Sequence, residues 1–122
     1  TDVIVGFPGE TDAEFDETLC VVRESQMMRV HVFSYSPRAG TVAAAEMRDD
    51  VRPEVKAARR ERLRELEREL AQRYAQSLVG RTLDVLVEGA DDARPGFARG
   101  TACRYLSVRF PGFTPELVRQ KV

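Results

Sequence analysis

The chain opens on an apolar run, Val3-Ile4-Val5, which Gly6, Pro8 and Gly9 bring to a stop. Three consecutive β-branched residues predict a short strand buried on both faces. Thr11 with Glu14 three positions later, just ahead of Phe15, forms a capping box and predicts that a helix starts there. Over residues 12–26 Phe15, Leu19 and Val22 recur at helical spacing. Asp12, Glu14, Asp16 and Glu17 crowd the first turns, where the helix dipole favours anions. Cys20 falls within this helix as a small core or boundary residue. Residues 29–35 alternate and predict a second strand, with Val30 and Val32 on one face and His31, Phe33 and Tyr35 on the other. Ser36 to Thr41 reads as a loop with Pro and Gly turn chemistry. Residues 42–52 read as a linker with a helical turn around Ala43–Glu46.

Pro53 suits the first position of a long helix, where its missing N–H has no partner to lose. That helix is predicted to run to about Leu78 behind a stripe of Leu63, Leu66, Leu70, Tyr74 and Leu78. Its other positions mix Arg59, Arg60, Arg62, Arg64 and Arg68 with Glu61, Glu65, Glu67 and Glu69, which predicts a solvated face with i,i+4 pairing. Gly80 is placed as a left-handed cap. Beyond it the period changes to two. Leu83, Val85 and Val87 share one side of a strand over Thr82–Glu88, and a loop rich in Gly, Asp and Pro spans Gly89–Gly96. Residues 101–110 alternate again as one strand, with Ala102, Leu106, Val108 and Phe110 on one face and Arg104 interrupting it. Two antiparallel strands after a helix predict a small β-barrel, with a third strand beginning at Val118–Val122.

Charge changes this picture by dividing it. Residues 1–50 carry ten acids and four bases, whereas residues 51–122 carry ten acids and fifteen bases. A basic second part suits a nucleic acid or another polyanion. A length of 122 residues admits one ordinary domain or two small ones. Cys20 and Cys103 are too few for a disulfide framework, so a reducing, cytoplasmic setting is expected. No apolar run reaches the roughly 18 residues of a membrane span and no leader is visible, so no membrane role is expected. The chain begins inside a strand without a methionine, which leads us to expect a piece of a longer protein.

Strand, glycine loop and capped helix make a βα unit, and ligands collect at the carboxyl ends of such parallel strands. The plain alternative is a tight structural turn. In a parallel barrel, His31, Phe33 and Tyr35 would face a ligand chamber; alternatively Phe33 packs in a core with His31 hydrogen-bonded beside it. Arg38, on the following loop, suits a carboxylate or phosphate. Arg81, Arg99, Arg104 and Arg109 beside Tyr105 supply phosphate contacts and a stacking surface for single-stranded RNA. The competing reading is that Tyr105 packs the barrel and the arginines keep it soluble.

Three blocks in series carry a family resemblance: Thr1-Asp2-Val3-Ile4-Val5-Gly6-Phe7-Pro8-Gly9-Glu10-Thr11, then His31-Val32-Phe33-Ser34-Tyr35-Ser36-Pro37-Arg38-Ala39-Gly40-Thr41, then Leu78-Val79-Gly80-Arg81-Thr82-Leu83 with Tyr105-Leu106 and Val108. Together they resemble the radical S-adenosylmethionine methylthiotransferases, over essentially the whole chain. The resemblance implies an α/β plus small-β fold. Residues 1–50 would be the last βα units of a partial TIM-type barrel, residues 51–78 a long connecting helix, and residues 79–122 an incomplete, OB-like TRAM domain that binds RNA. Asp2 and the His31-Val32-Phe33 strand most resemble the branch that adds a methylthio group to carbon 2 of N6-threonylcarbamoyladenosine, 3′ of the tRNA anticodon at position 37. Sister branches act on isopentenyladenosine in tRNA or on an aspartate of a ribosomal protein.

By position, the resemblance implies that Ile4, Gly6, Phe7, Gly9 and Glu10, with His31, Phe33 and Tyr35, surround S-adenosylmethionine. It places Arg38 and Thr41 toward the substrate and Arg81, Arg99, Arg104, Tyr105 and Arg109 toward RNA. It also implies two 4Fe-4S clusters in the full-length enzyme, and tRNA, through its anticodon region, as partner; the electron donor and sulfur source are not implied. The Cys-x3-Cys-x2-Cys pattern that ligates the radical-generating cluster is not in this sequence, and Cys20 and Cys103 match none of its positions. Without thiolates no such cluster is held, so no catalytic residue or metal ligand is assigned and this chain alone is expected to be inactive. Two rival readings stay open: a non-enzymatic RNA-binding module with the α/β part as scaffold, and a small-ligand α/β domain with no RNA role.

Overall fold

A computed structural model describes residues 1–122, which divide into two compact units, Thr1–Ser77 and Leu78–Val122. The first unit contains strand β1 (Asp2–Val5), helix α1 (Asp12–Glu24), strand β2 (His31–Ser34), a short helix α2 (Val42–Glu46) and the long helix α3 (Pro53–Ser77). β1 and β2 are parallel, in register from Asp2 opposite His31 to Val5 opposite Ser34. The capping box forms as the sequence indicates. Glu14 N–H donates to Thr11 Oγ1 at 3.2 Å, and Thr11 N–H donates to Glu14 Oε2 at 2.8 Å. Those bonds from Thr11 hold the Glu14 carboxyl below its ordinary pKa. Pro53 begins α3, and Thr41 caps α2 through a bond from the Ala44 N–H at 3.2 Å.

Phe15 and Val22 of α1, Leu63, Leu66 and Leu70 of α3, and Val5 and Val30 from the sheet side make the core, with Val3, Leu19 and Val32 packed against it. Only one face of the parallel pair is covered. Ile4 and Phe33, on the other, are 55% and 54% exposed, so the first strand is not buried on both faces. The reason is geometric: both long helices pack on the Val3, Val5 and Val32 side, and α2 is too short to cover the remainder. Cys20 points outward, away from the core. No helix is long and apolar enough to cross a membrane.

The buried side of α3 runs Lys56, Arg59, Leu63, Leu66, Leu70 in steps of 3, 4, 3 and 4. Two cations therefore extend the leucine stripe toward the helix start. The expectation of a solvated face holds for Arg62, Arg64 and Arg68, which are exposed, but not for Arg59, which is 5% exposed. The expected i,i+4 pairing is made only by Arg73 with Glu69, while Arg62 pairs with Asp16 and Arg64 and Arg68 pair with Glu61.

The second unit is an antiparallel sheet, ordered β3 (Val85–Ala90), β4 (Phe97–Ala102), β5 (Ser107–Pro111), followed by a 3-10 turn at Pro115–Leu117. Val85, Val87, Ala98, Gly100 and Ala102 form its buried face, and Glu88 sits at a bulge in β3. The residues after the 3-10 turn lie antiparallel along the other edge of β3: Val87 N–H donates to Gln120 O at 2.9 Å and Val122 N–H to Val85 O at 3.0 Å.

Residues 101–110 are not a single strand. Tyr105 adopts a left-handed conformation, φ 59°, and its N–H donates to Ala102 O at 2.8 Å. Ala102 N–H donates across to Leu106 O at 2.8 Å, closing a three-residue hairpin loop of Cys103, Arg104 and Tyr105. Arg104 interrupts the alternation because it stands in this turn. Leu83, assigned to the preceding strand, lies before β3 begins, and that strand runs on to Ala90.

Candidate functional site

The uncovered face of the parallel pair opens onto a cleft of about 600 Å³. Ile4 and Phe33 enter it from neighbouring strands, because register pairs them and period two puts both on the same side. Phe7 comes from the glycine loop and Tyr35 from the end of β2, their rings edge-to-face at 5.2 Å. Arg38 and Thr41, from the loop before α2, complete the wall together with Asp2 and Ser36. Six of the residues singled out in the sequence thus meet in one place. The Tyr35 hydroxyl oxygen is buried without a hydrogen-bond partner. An unmatched buried hydroxyl is costly.

The remaining candidates in this unit stand apart from the cleft wall. His31 lies at the amino end of β2, 3.4 Å from Asp2 and 61% exposed, at the opposite end of the pair from the glycine loop. Gly6 and Gly9 shape the loop, both with positive φ, 71° and 81°, which only glycine adopts cheaply. Glu10 turns inward. Its Oε2 accepts the Gly6 N–H at 2.6 Å and lies 2.6 Å from Arg59 Nη1.

Arg59, Lys56 and two aspartates are the site residues that sequence reasoning missed. Arg59 Nη1 also donates to the Glu10 carbonyl at 3.1 Å, and Nη2 to Asp12 Oδ1 at 2.7 Å. Burial by itself would lower the Arg59 pKa; hydrogen bonds and charge from Asp12 and Glu10 outweigh it, and the pKa is raised. Lys56 Nζ donates to Asp49 Oδ1 at 2.5 Å and to the Tyr35 carbonyl at 3.2 Å. Asp50 Oδ1 accepts the Gly9 N–H at 2.9 Å. The 3, 4, 3, 4 spacing was the available signal, since cations at stripe positions fall on the buried side.

In the second unit, Arg99 and Arg109 are cross-strand partners on the face opposite the buried one. Arg109 Nε lies 3.0 Å from Asp91 Oδ2, and Arg99 Nη1 lies 3.9 Å from Asp92. Asp91 is buried by its own turn, accepting the Ala93 N–H at 3.0 Å. Arg104 and Tyr105 project from the β4–β5 turn, with Tyr105 80% exposed, so it does not pack a barrel interior. Arg81 is exposed ahead of β3.

No family model matches the chain. Over 112 residues it is 44% identical to the tRNA-2-methylthio-N(6)-dimethylallyladenosine synthase of Symbiobacterium thermophilum, a match covering 92% of this chain and 24% of that protein. The chain is similar to one stretch of that synthase. Proteins of the same name from Bacillus velezensis and Bacillus subtilis are 43% and 41% identical over 112 residues, again 92% of this chain and 22% of each relative. The chain therefore spans about a quarter of the length of the relatives it matches. Their name specifies dimethylallyladenosine, which favours the isopentenyladenosine alternative over the threonylcarbamoyl branch that Asp2 and the His31–Phe33 strand suggested.

The cleft fits S-adenosylmethionine in kind, with an apolar wall of Ile4, Phe7 and Phe33 and polar groups at Tyr35, Arg38 and Thr41. A 4Fe-4S cluster does not fit this chain. Its two thiols lie in different units, and no group of three or more His, Cys, Asp or Glu side chains is placed to hold a metal ion.

Proposed function

We propose that this chain is part of a cytoplasmic tRNA methylthiotransferase acting on dimethylallyladenosine beside the anticodon. The observation that carries the reading is 41–44% identity across 92% of the chain to synthases named for that nucleoside. In this reading β1, α1 and β2 belong to the end of a partial TIM-type barrel. The exposed Ile4–Phe33 face supports it, because parallel strands are ordinarily covered on both sides. Leu78–Val122 would be the TRAM-type RNA-binding part, a role supported by Arg99 and Arg109 side by side and by Tyr105 raised on its turn.

S-adenosylmethionine, when bound, supplies the methyl group and the radical chemistry. This chain's own residues would receive it: Ile4, Phe7 and Phe33 exclude water from an apolar ring, while Arg38 and Thr41 hold polar groups. Mass spectrometry of tRNA nucleosides from a gene deletion tests the proposal. The methylthio group should disappear while dimethylallyladenosine lacking it accumulates. Its loss from threonylcarbamoyladenosine alone would reverse the choice of branch, and an unchanged nucleoside profile would end the enzyme reading.

Tyr105 gives a separate check on the RNA side. A left-handed conformation costs a tyrosine about 1–2 kcal/mol, so Tyr105→Gly is expected to stabilise the second unit by about 1 kcal/mol. Lost base stacking, worth about 1–3 kcal/mol, should at the same time weaken single-stranded RNA binding by at least about fivefold. Retained affinity in a stabilised variant would remove Tyr105 from the interface.

A further inference from the structure

Buried cations are expensive to place, and leucines at positions 56 and 59 would continue the stripe of α3 more simply. What the two cations touch explains their presence. Arg59 spans the start of α1, bonding Glu10 on one side of Thr11 and Asp12 on the other. The Glu10 oxygen that it grips is the one that holds the Gly6 N–H. One turn earlier, the Lys56 stem lies over Gly6 so closely that a Cβ there would overlap its Cγ. The Lys56 head binds the carbonyl of Tyr35, whose ring lines the cleft and meets Phe7.

We infer that Lys56 and Arg59 are positioning residues that lock the Gly6–Glu10 loop, and with it Phe7 and Tyr35, into the shape that borders the cleft. Glu10 belongs to the same device: its carboxylate is spent on Gly6 and Arg59, so it acts through the loop and not on a ligand. The consequence for ligand binding rests on the reading of this cleft as the cofactor site.

Amide hydrogen exchange of the whole chain, followed residue by residue by NMR, tests the lock directly. Arg59→Lys keeps the charge but not the two-armed grip, and Glu10→Gln keeps the shape but not the charge. Both are expected to speed exchange at Gly6 by about tenfold or more, with exchange at Leu19 inside α1 unchanged. Lys56→Met should loosen Gly6 in the same way. Gly6 exchange unaltered in Arg59→Lys and Glu10→Gln, or rising only in step with Leu19, would overturn the inference, since a merely stabilising role moves both together. Titration with S-adenosylmethionine, observed at the Phe7 and Tyr35 rings, supplies the second arm. Shifts that need at least about threefold more ligand in the variants than in the wild type support the lock's bearing on the cleft. No shift in the wild type counts against the cofactor reading and leaves the exchange result to judge the lock.

Discussion

Phe15→Ala is expected to destabilise the first unit by about 3–5 kcal/mol, the range for deleting a fully buried aromatic ring. Phe15 is completely buried among Val5, Val22, Leu63 and their neighbours, so its removal leaves a cavity where α1 meets α3. The ring also lies under two guanidinium groups, Arg59 at 5.5 Å and Arg62 at 5.1 Å, whose cation–π attraction disappears with it. A domain of this size has a stability of only about 4–12 kcal/mol, so the loss is a large share of the whole. Urea unfolding followed by helical circular dichroism reports on this unit, because α1 and α3 lie within it. The midpoint should fall sharply without a change in slope. Cys20→Ser, exposed on the same helix, should move it by less than about 0.5 kcal/mol. Equal shifts for the two substitutions would mean that Phe15 is not the centre of the core.

Gly100→Val is expected to unfold the second unit selectively. A Cβ at Gly100 would overlap the carbonyl oxygen of Leu86 on the adjacent strand and lie 2.8 Å from Val85 Cγ1. The obstruction is backbone and cannot rotate away, so β3 and β4 must separate at about 1–3 kcal/mol or more. A sheet this small has little stability in reserve. Amide NMR should show the dispersed signals of Val85–Pro111 collapsing while those of α1 persist. Gly89→Ala, whose Cβ would meet only Arg99 Nε at 3.9 Å, should keep them. A well-dispersed second unit in Gly100→Val would show that the close strand approach is not required.

What the sequence made legible is what local rules govern. The capping box, the helix starting at Pro53 and the leucine stripe follow from spacing alone. The common face of Phe33 and Tyr35 follows from period two and the position of Arg38 from its loop, whereas Ile4, Phe7 and Thr41 were placed near a ligand only by the family resemblance. The hairpin turn at Cys103–Tyr105 was not legible, because a tyrosine occupies a backbone conformation usually signalled by glycine or asparagine. Lys56 and Arg59 were hidden for a related reason: a charge at a stripe position reads as the end of the stripe, whereas here acids from outside the helix, Asp49 and Glu10, pair with it. Glu10 was assigned to the ligand side by its place in the loop, and only the tertiary contact with Arg59 shows its carboxylate facing the other way.

The stripe that runs from Lys56 to Leu70 also constrains what this helix can tolerate. Each residue added to an α-helix rotates everything beyond it by about 100°. One residue inserted between Arg59 and Leu63 would leave the leucines seated on α1 while swinging both cations round toward solvent. The adhesive half of the helix and its controlling half are in phase, and that phase is set by four residues of spacing. Changes in the length of α3 between Lys56 and Leu63 therefore act on the loop beside the cleft even when no residue touching it is altered.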